Sequence, residues 1–444
     1  MNRINLLFVI LLSPMFLLTS CDNDLDQSPP NLASSSSLTD YGGVLNGAYF
    51  YQLGSVTPMA VMGDFRADNA LMLEPPYTEF DVFGANLTAM EDQYFGPFYT
   101  ALYKSILSSN LVIENSENAS EVGEARFLRA LSYFKLVRVF GAVPVNLAGT
   151  PSLSDQSILV RKPAAEVYSS VIIPDLEAAI SALDNSGLSN GRASMLAAQA
   201  LLGKVYVQLN DFSSAAAPLA AVINGAAAAG VSLQANYADI FGVDNDLNSE
   251  VIFATQVSGS IVDEYGFSEF WSWYGGLDTK SLQPLDPDLI AAFGGATSTD
   301  LRFTVVIDTS TFSSSAKYPQ TGGPDHDWIE MRLGDVVLLY AETLNENGGS
   351  AEAALDLLDP IRTRAGLAPL DHIVLNTQAL VRDAIHAERR LELAFEGQRW
   401  FDLVRTGTVD AEMGQAVNSN YHVFPIPISE VLASFGEITQ NAGY

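Results

Sequence analysis

The sequence predicts a mainly α-helical fold: helix pairs form the scaffold, long loops interrupt it, and a few short strands lie between them. Three observations predict this. Apolar residues recur at helical spacing, most clearly at Phe127, Ala130, Leu131, Phe134 and Val137. Two stretches rich in Ala and Leu, 194–228 and 334–364, each break once at a short polar connection. Runs with strand character are short and few, although the chain is 48% hydrophobic over 444 residues and can bury a large core.

At the N-terminus, Ile4–Leu18 is apolar behind a single basic residue, Arg3. That run is short for a spanning helix, which needs about 20 residues, and reads as a secretory signal. Leu18-Thr19-Ser20-Cys21 resembles the lipobox of bacterial lipoproteins. Residues 1–20 are then the expected signal peptide and Cys21, the only cysteine, the expected lipidation site. Residues 21–37, with Pro29, Pro30 and Ser34–Ser37, read as a flexible tether, and 38–444 as one domain. Asp22, Asp24 and Asp26 resemble the acidic surface-export signals of Bacteroidetes lipoproteins.

Within the domain, Thr39 is positioned to cap a helix carrying Tyr41, Leu45, Ala48 and Tyr49. Residues 54–96 read as loop. Helices are expected over 99–114 and 124–140, the second apolar around so much of its circumference that it should be buried. Gly141 and Pro144 end it. A helix over 164–183 should be interrupted at Pro174. Helices over 194–209 and 212–228 meet at Asn210-Asp211, and Leu202-Gly203-x-x-Tyr206 matches the core of a tetratricopeptide helix. A looser copy follows, Leu338-x-Tyr340-Ala341-Glu342 with 351–358 as its partner. The 34-residue period is not maintained, so long insertions must interrupt the array. Residues 251–257 and 303–307 read as strands. Helices over 334–345, 351–364 and 377–395 complete the chain, with Pro360 expected to kink the second.

The chemistry is sparse. With 22 basic against 52 acidic residues, net charge −30, the chain has no electrostatic case for gripping nucleic acid. One cysteine offers neither an internal disulfide nor a thiolate metal cage. No phosphate-binding Gly-rich loop and no nucleophile elbow are present, so neither a cofactor nor a catalytic residue is assigned. The four histidines are far apart, and Asp325-His326-Asp327 offers ligand types without a partner motif. Glu388, Arg389, Arg390, Glu392, Glu396 and Arg399 interleave with Leu391, Phe395 and Trp400. That pattern reads as a partly buried ion-pair lattice, with i,i+3 pairing of Arg389 with Glu392 and of Glu396 with Arg399.

The best ligand signal is aromatic. Trp271, Trp273 and Tyr274 lie just before Gly275-Gly276, where a loop can present flat faces on which sugar rings stack. Asp64, Arg66, Asp68 and Asn69, in another loop, are candidate hydroxyl binders, with Tyr94 adding to the same surface. A core-plugging loop and turn-forming polar residues remain the alternatives for these two segments.

Long ordered segments then carry a family resemblance: Gly123–Pro144, Met331–Asn345, Glu388–Arg405, Phe424-Pro425-Ile426-Pro427 and Gln440–Tyr444. Together with the lipobox, they resemble the SusD/RagB-like nutrient-binding lipoproteins of the Bacteroidetes outer membrane. The resemblance implies a SusD-like fold on tetratricopeptide-like helix pairs. It implies a surface lipoprotein that binds oligosaccharides without turnover and hands them to a SusC-like TonB-dependent transporter. A RagB-like peptide binder is the alternative, and the acidity would favour cationic peptides. Pro360 and Ala442, which stands where the terminal pattern usually has proline, depart from the family.

Overall fold

The computed structural model describes residues 40–152, 155–258, 260, 270–275, 285–319 and 325–444. Cys21, the tether and Thr39 lie outside the described residues. Among those described, no helix is long and apolar enough to cross a membrane.

Helices begin where a short polar side chain can satisfy an open backbone N–H. Asn118 accepts from Ser120 N, Ser194 from Ala197 N, Asp211 from Ser214 N, Ser350 from Ala353 N and Thr377 from Leu380 N. The helices that follow stack in chain order. Tyr41–Gln52 packs on Gly96–Asn115, which packs on Ala119–Phe140, then Ile173–Ala182, then Met195–Gln208, then Phe212–Gly225. The last of these meets Leu333–Glu346, which holds both Ala351–Arg364 and Gln378–Glu392. Each helix buries its apolar stripe against the next, so the array has the logic of a short solenoid. Gly203 shows why the pair motif needs a small residue. A Cβ there would come within 2.4 Å of the Leu219 side chain on the partner helix.

Ala119–Phe140 is buried along most of its length, as expected. Gly141, at φ +72°, ends it in a conformation that costs glycine little. Around Pro174 the backbone adapts rather than breaks. Ala164–Val167 leads into a wide π turn, Tyr168–Ile172, and Pro174 falls in the first turn of Ile173–Ala182, where its missing N–H is harmless. The helix Ala351–Arg364 likewise continues through Pro360.

Two expectations about secondary structure are corrected. Residues 303–307 are not a strand: Phe303–Val306 is a helical turn. The β-branched run favours extension, but Asp300 Oδ1 accepts Arg302 N at 2.9 Å and starts the turn, and Val306 N closes onto Arg302 O at 2.8 Å. Residues 54–96 are not open loop either. They wind through short helical turns, and 52–70 is buried throughout. The strand Val251–Thr255 does form, and pairs antiparallel with Trp328–Arg332, both wholly buried.

The charged lattice is deeper than expected, and apart from Asp300 beside Arg302 the partners that build its centre are remote in sequence. Arg332 reaches Glu250 at 2.8 Å, Glu392 at 2.7 Å and Glu396 at 2.8 Å. Arg302 binds Asp300, Glu388 and Glu392; Arg364 binds Glu250 and Glu392; Lys317 binds Glu396 at 2.7 Å. The expected i,i+3 pairs are replaced by these long-range ones and by Arg389 with Asp335 and Asp402. Buried guanidiniums need several planar acceptors, and only carboxylates from different elements can surround them. Burial would raise Glu392, but Arg332, Arg364 and Arg302 outweigh it and hold the carboxyl at about 2.

Candidate functional site

The Met62–Asn69 segment is fixed by a backbone-to-backbone contact. A Cβ on Gly63 would lie 2.1 Å from the carbonyl oxygen of Gly397, so glycine alone permits the approach. Gly397 has φ +69°, and a Cβ on it would meet the Trp328 ring at 2.8 Å. This contact carries Asp64 into the interior. Its Oδ2 accepts Gly397 N at 2.6 Å and the Tyr274 hydroxyl at 2.8 Å. Burial pushes the Asp64 carboxyl up to about 6, although Gly397 N–H, Tyr274 and Asn69 oppose the shift.

Around Asp64 the aromatics form a packed layer. Phe65 stacks on Tyr274 with centroids 5.4 Å apart. Trp273 meets Tyr77 edge-on at 5.1 Å and Tyr94 at 6.1 Å. The structure therefore brings Asp64, Tyr94, Trp273 and Tyr274 together, as the base of the region rather than its exposed face: all four are buried. Arg66, Asp68 and Asn69 are buried too, and turn toward the C-terminal part of the chain. Arg66 donates to Phe80 O at 2.8 Å and Tyr421 O at 3.0 Å, with its guanidinium 4.4 Å from the Phe83 ring centroid. Burial lowers Arg66 to about 10. Asp68 takes two 2.7 Å bonds from Arg399, and Arg390 Nε donates to Asn69 Oδ1 at 3.1 Å.

These seven residues thus hold loops together instead of lining an open platform. Backbone hydrogen bonds, ion pairs and aromatic packing engage them internally, and a ligand hydroxyl would have to displace those partners. Only Trp271 among the predicted residues is half-buried, with its ring 6.4 Å from that of His326. On the helical turn Phe270–Gly275 it stands on a different face from Trp273, because i and i+2 diverge. His326 Nε2 lies 2.8 Å from Pro319 O, and Asp327 accepts Val257 N at 2.9 Å, so the Asp325-His326-Asp327 segment is engaged in loop contacts.

Two surfaces escaped sequence reasoning. Leu73, 48% exposed, and half-buried Tyr77 flank Pro75-Pro76 above Trp273. The Pro-Pro-Tyr run was the available signal. The second is a cleft of about 310 Å³ between the first helix, the Asn190–Arg192 turn and the end of Val251–Thr255. Tyr49, Phe50 and Phe253 line it, with Asn46, Asn190 and Gln256 at its polar edge. Arg192 lies over the Tyr49 ring at 4.6 Å and binds Glu124 at 2.7 Å. No local pattern joins residues so distant in sequence.

The C-terminal segment closes over this framework. Asn441 Nδ2 donates to Phe140 O at 3.0 Å and to Phe424 O at 2.7 Å, while Gln440 pairs with the backbone of Ile426 through both N–H and C=O. Arg161 adds bonds to Thr439 O and Ala142 O. The motif at 440–444 is a backbone clamp, and Ala442 stands within it without supplying any of these bonds.

A family model described as "SusD family" matches residues 297–444, and one described as "Starch-binding associating with outer membrane" matches residues 16–207. The SusD-like protein P2 of Formosa agariphila is 25% identical, over 100% of this chain and 100% of that protein. A SusD superfamily protein from Parabacteroides distasonis superposes with TM-score 0.75 at 22% identity, covering 93% of this chain and 100% of its own. A solved structure described as a laminarin binding SusD-like protein gives TM-score 0.69 at 25% identity, covering 92% and 99%. The matched segments include most of the helix array, the arginines and C-terminal carboxylates of the ion-pair lattice and the C-terminal clamp, and the chain belongs to the SusD/RagB-like family.

Proposed function

We propose that this protein is a cell-surface lipoprotein that binds oligosaccharides noncovalently and passes them to a SusC-like TonB-dependent transporter of the outer membrane. Cys21 would carry the lipid, and residues 21–37 would hold the domain away from the bilayer. The observation that carries the reading is the chain-wide likeness to a laminarin binding SusD-like protein. The family description "associating with outer membrane" supports the location.

Of the residues expected to meet ligand, Trp271 keeps the role of stacking platform, being half-buried rather than enclosed. Asp64, Trp273, Tyr274 and Tyr94 are instead structural, holding the packed layer of the same region together. Binding without turnover fits this inventory, since the carboxylates of the layer are committed to backbone and ion-pair contacts.

The test is calorimetric titration of the purified domain with a panel of neutral oligosaccharides that includes β-glucans. Trp271→Ala is expected to weaken binding about tenfold, equivalent to about 1.4 kcal/mol, and Trp271→Phe to restore part of it. Absence of binding to every glycan, with clear binding of cationic peptides, would overturn this reading in favour of the RagB-like one.

A further inference from the structure

We propose that Asp356, Asp359 and His372 form a divalent-metal site of the zinc class, on the outer face of the last helix pair and away from the aromatic layer. One ligand atom from each of the three lies within 4.8 Å of the others. His372 Nδ1 is 3.9 Å from Asp356 Oδ1.

The two aspartates are on the helix Ala351–Arg364 at i,i+3, which places both carboxylates on one face. The third ligand arrives from the loop that follows, and that loop is built to hold it. Gly366, at φ +74°, reverses the chain at the helix end. Leu367 N returns to Arg362 O at 2.9 Å, and the Arg362 guanidinium grips Ala368 O at 3.0 Å. Asp371 Oδ1 accepts Ile373 N at 2.9 Å and closes a turn around His372. Leu370 and Leu375, on either side, pack against the small core of Leu338, Leu355, Leu358, Val381 and Ile385. The imidazole is therefore positioned by anchors on both flanks.

A second observation is independent of this spacing. Asp359 Oδ1 is buried and has no hydrogen-bond partner. A buried carboxylate oxygen without a partner is costly, and a cation is one group that relieves it.

The ligand set decides the metal class. One imidazole and two carboxylates suit zinc or a similar transition ion better than calcium or magnesium, which take oxygen alone. Bonds of about 2.0–2.2 Å to a tetrahedral ion place ligand atoms about 3.4 Å apart. Closing 3.9 Å to that distance asks only for side-chain rotation, and Asp356, 63% exposed, is free to rotate. Three protein ligands leave the remaining positions to water. Bound metal would clamp the Asp371–Leu375 turn to the helix.

The experiment uses the full chain, stripped with a chelator and titrated with zinc chloride by calorimetry. A parallel titration with cobalt is read by visible absorption. The expected result is one tight equivalent of zinc, at least tenfold weaker in His372→Ala and in Asp359→Asn, with loss of the cobalt spectrum. Asp356→Asn, at the most exposed ligand, provides a variant that leaves the fold untouched. Asp383→Asn, an exposed carboxylate elsewhere, should bind as the wild type does. The large negative charge attracts cations loosely everywhere, and the variants separate that loose attraction from binding at these three residues. Equal binding by wild type, His372→Ala and Asp356→Asn, or no stoichiometric zinc in the wild type, overturns the proposal.

Discussion

Replacing Glu392 by glutamine removes one negative charge from the middle of the lattice that Arg302, Arg332 and Arg364 share. The wild-type carboxylate accepts Arg332 Nη1 at 2.7 Å, Arg302 Nη1 at 3.0 Å and Arg364 Nη2, and is fully buried. A glutamine amide would turn an N–H₂ donor toward at least one of three donors. Breaking a buried pair from one side costs about 3–5 kcal/mol, because the surviving charge is left uncompensated. The carboxyl's own titration leads to a similar figure. The three arginines, working against burial, hold it at about 2 where an ordinary glutamate stands at 4.5. That difference is worth roughly 3 kcal/mol. The sign is fixed: a depressed folded-state value gives stability that is complete above about pH 4.5 and is lost as pH falls toward about 2. Native domains have about 5–15 kcal/mol in total, so the variant should lose a large share of it. The assay is urea unfolding followed by circular dichroism, at neutral pH and down an acid series. Glu352→Gln, exposed on the helix Ala351–Arg364, is the control and should stay within about 0.5 kcal/mol. The loss in Glu392→Gln should persist at high salt, since buried pairs are weakly screened, and its stability should fall less steeply in acid. A variant within about 1 kcal/mol of wild type at neutral pH would refute the argument that this lattice holds the C-terminal helices in place.

Gly63→Ala should yield insoluble or unfolded protein. Its Cβ meets the Gly397 carbonyl at 2.1 Å, and backbone on both sides cannot retreat; a soluble, native-like variant by circular dichroism would contradict the close approach. Asp64→Asn should gain relative to wild type as pH rises, because the folded-state carboxyl is raised from 3.8 to about 6 and its ionisation opposes folding above the unfolded value. The relative gain between about pH 4.5 and pH 8 is roughly 2 kcal/mol, and urea midpoints at the two pH values measure it; a pH-independent difference would show that the carboxyl is not raised.

Much of the scaffold was legible because helix formation is signalled locally. The apolar stripe of 124–140 and the Asn210-Asp211 break act within one or two turns, and the helices stand where those signals place them. The strand at 251–255 was legible for the same reason, through its run of β-branched and aromatic residues. The 303–307 run misled, because Asp300 and Arg302 decide that turn through contacts that strand propensity does not count.

The site was less legible. A polar or aromatic residue in a loop looks the same in sequence whether it faces solvent or is sealed. Asp64 is sealed because Gly63 and Gly397, remote in sequence, allow two backbones to touch. Trp273 is sealed because Tyr77 and Tyr94 close around it. The sequence by itself determined the helical array, the family and the chemical poverty of the chain, since these follow from periodicity, ordered motifs and composition. Only the tertiary structure decided which charges pair, which aromatics are buried and where Asp356, Asp359 and His372 meet. Burial and pairing depend on what arrives from elsewhere in the chain, and a buried charge is stable only beside partners that no local pattern names.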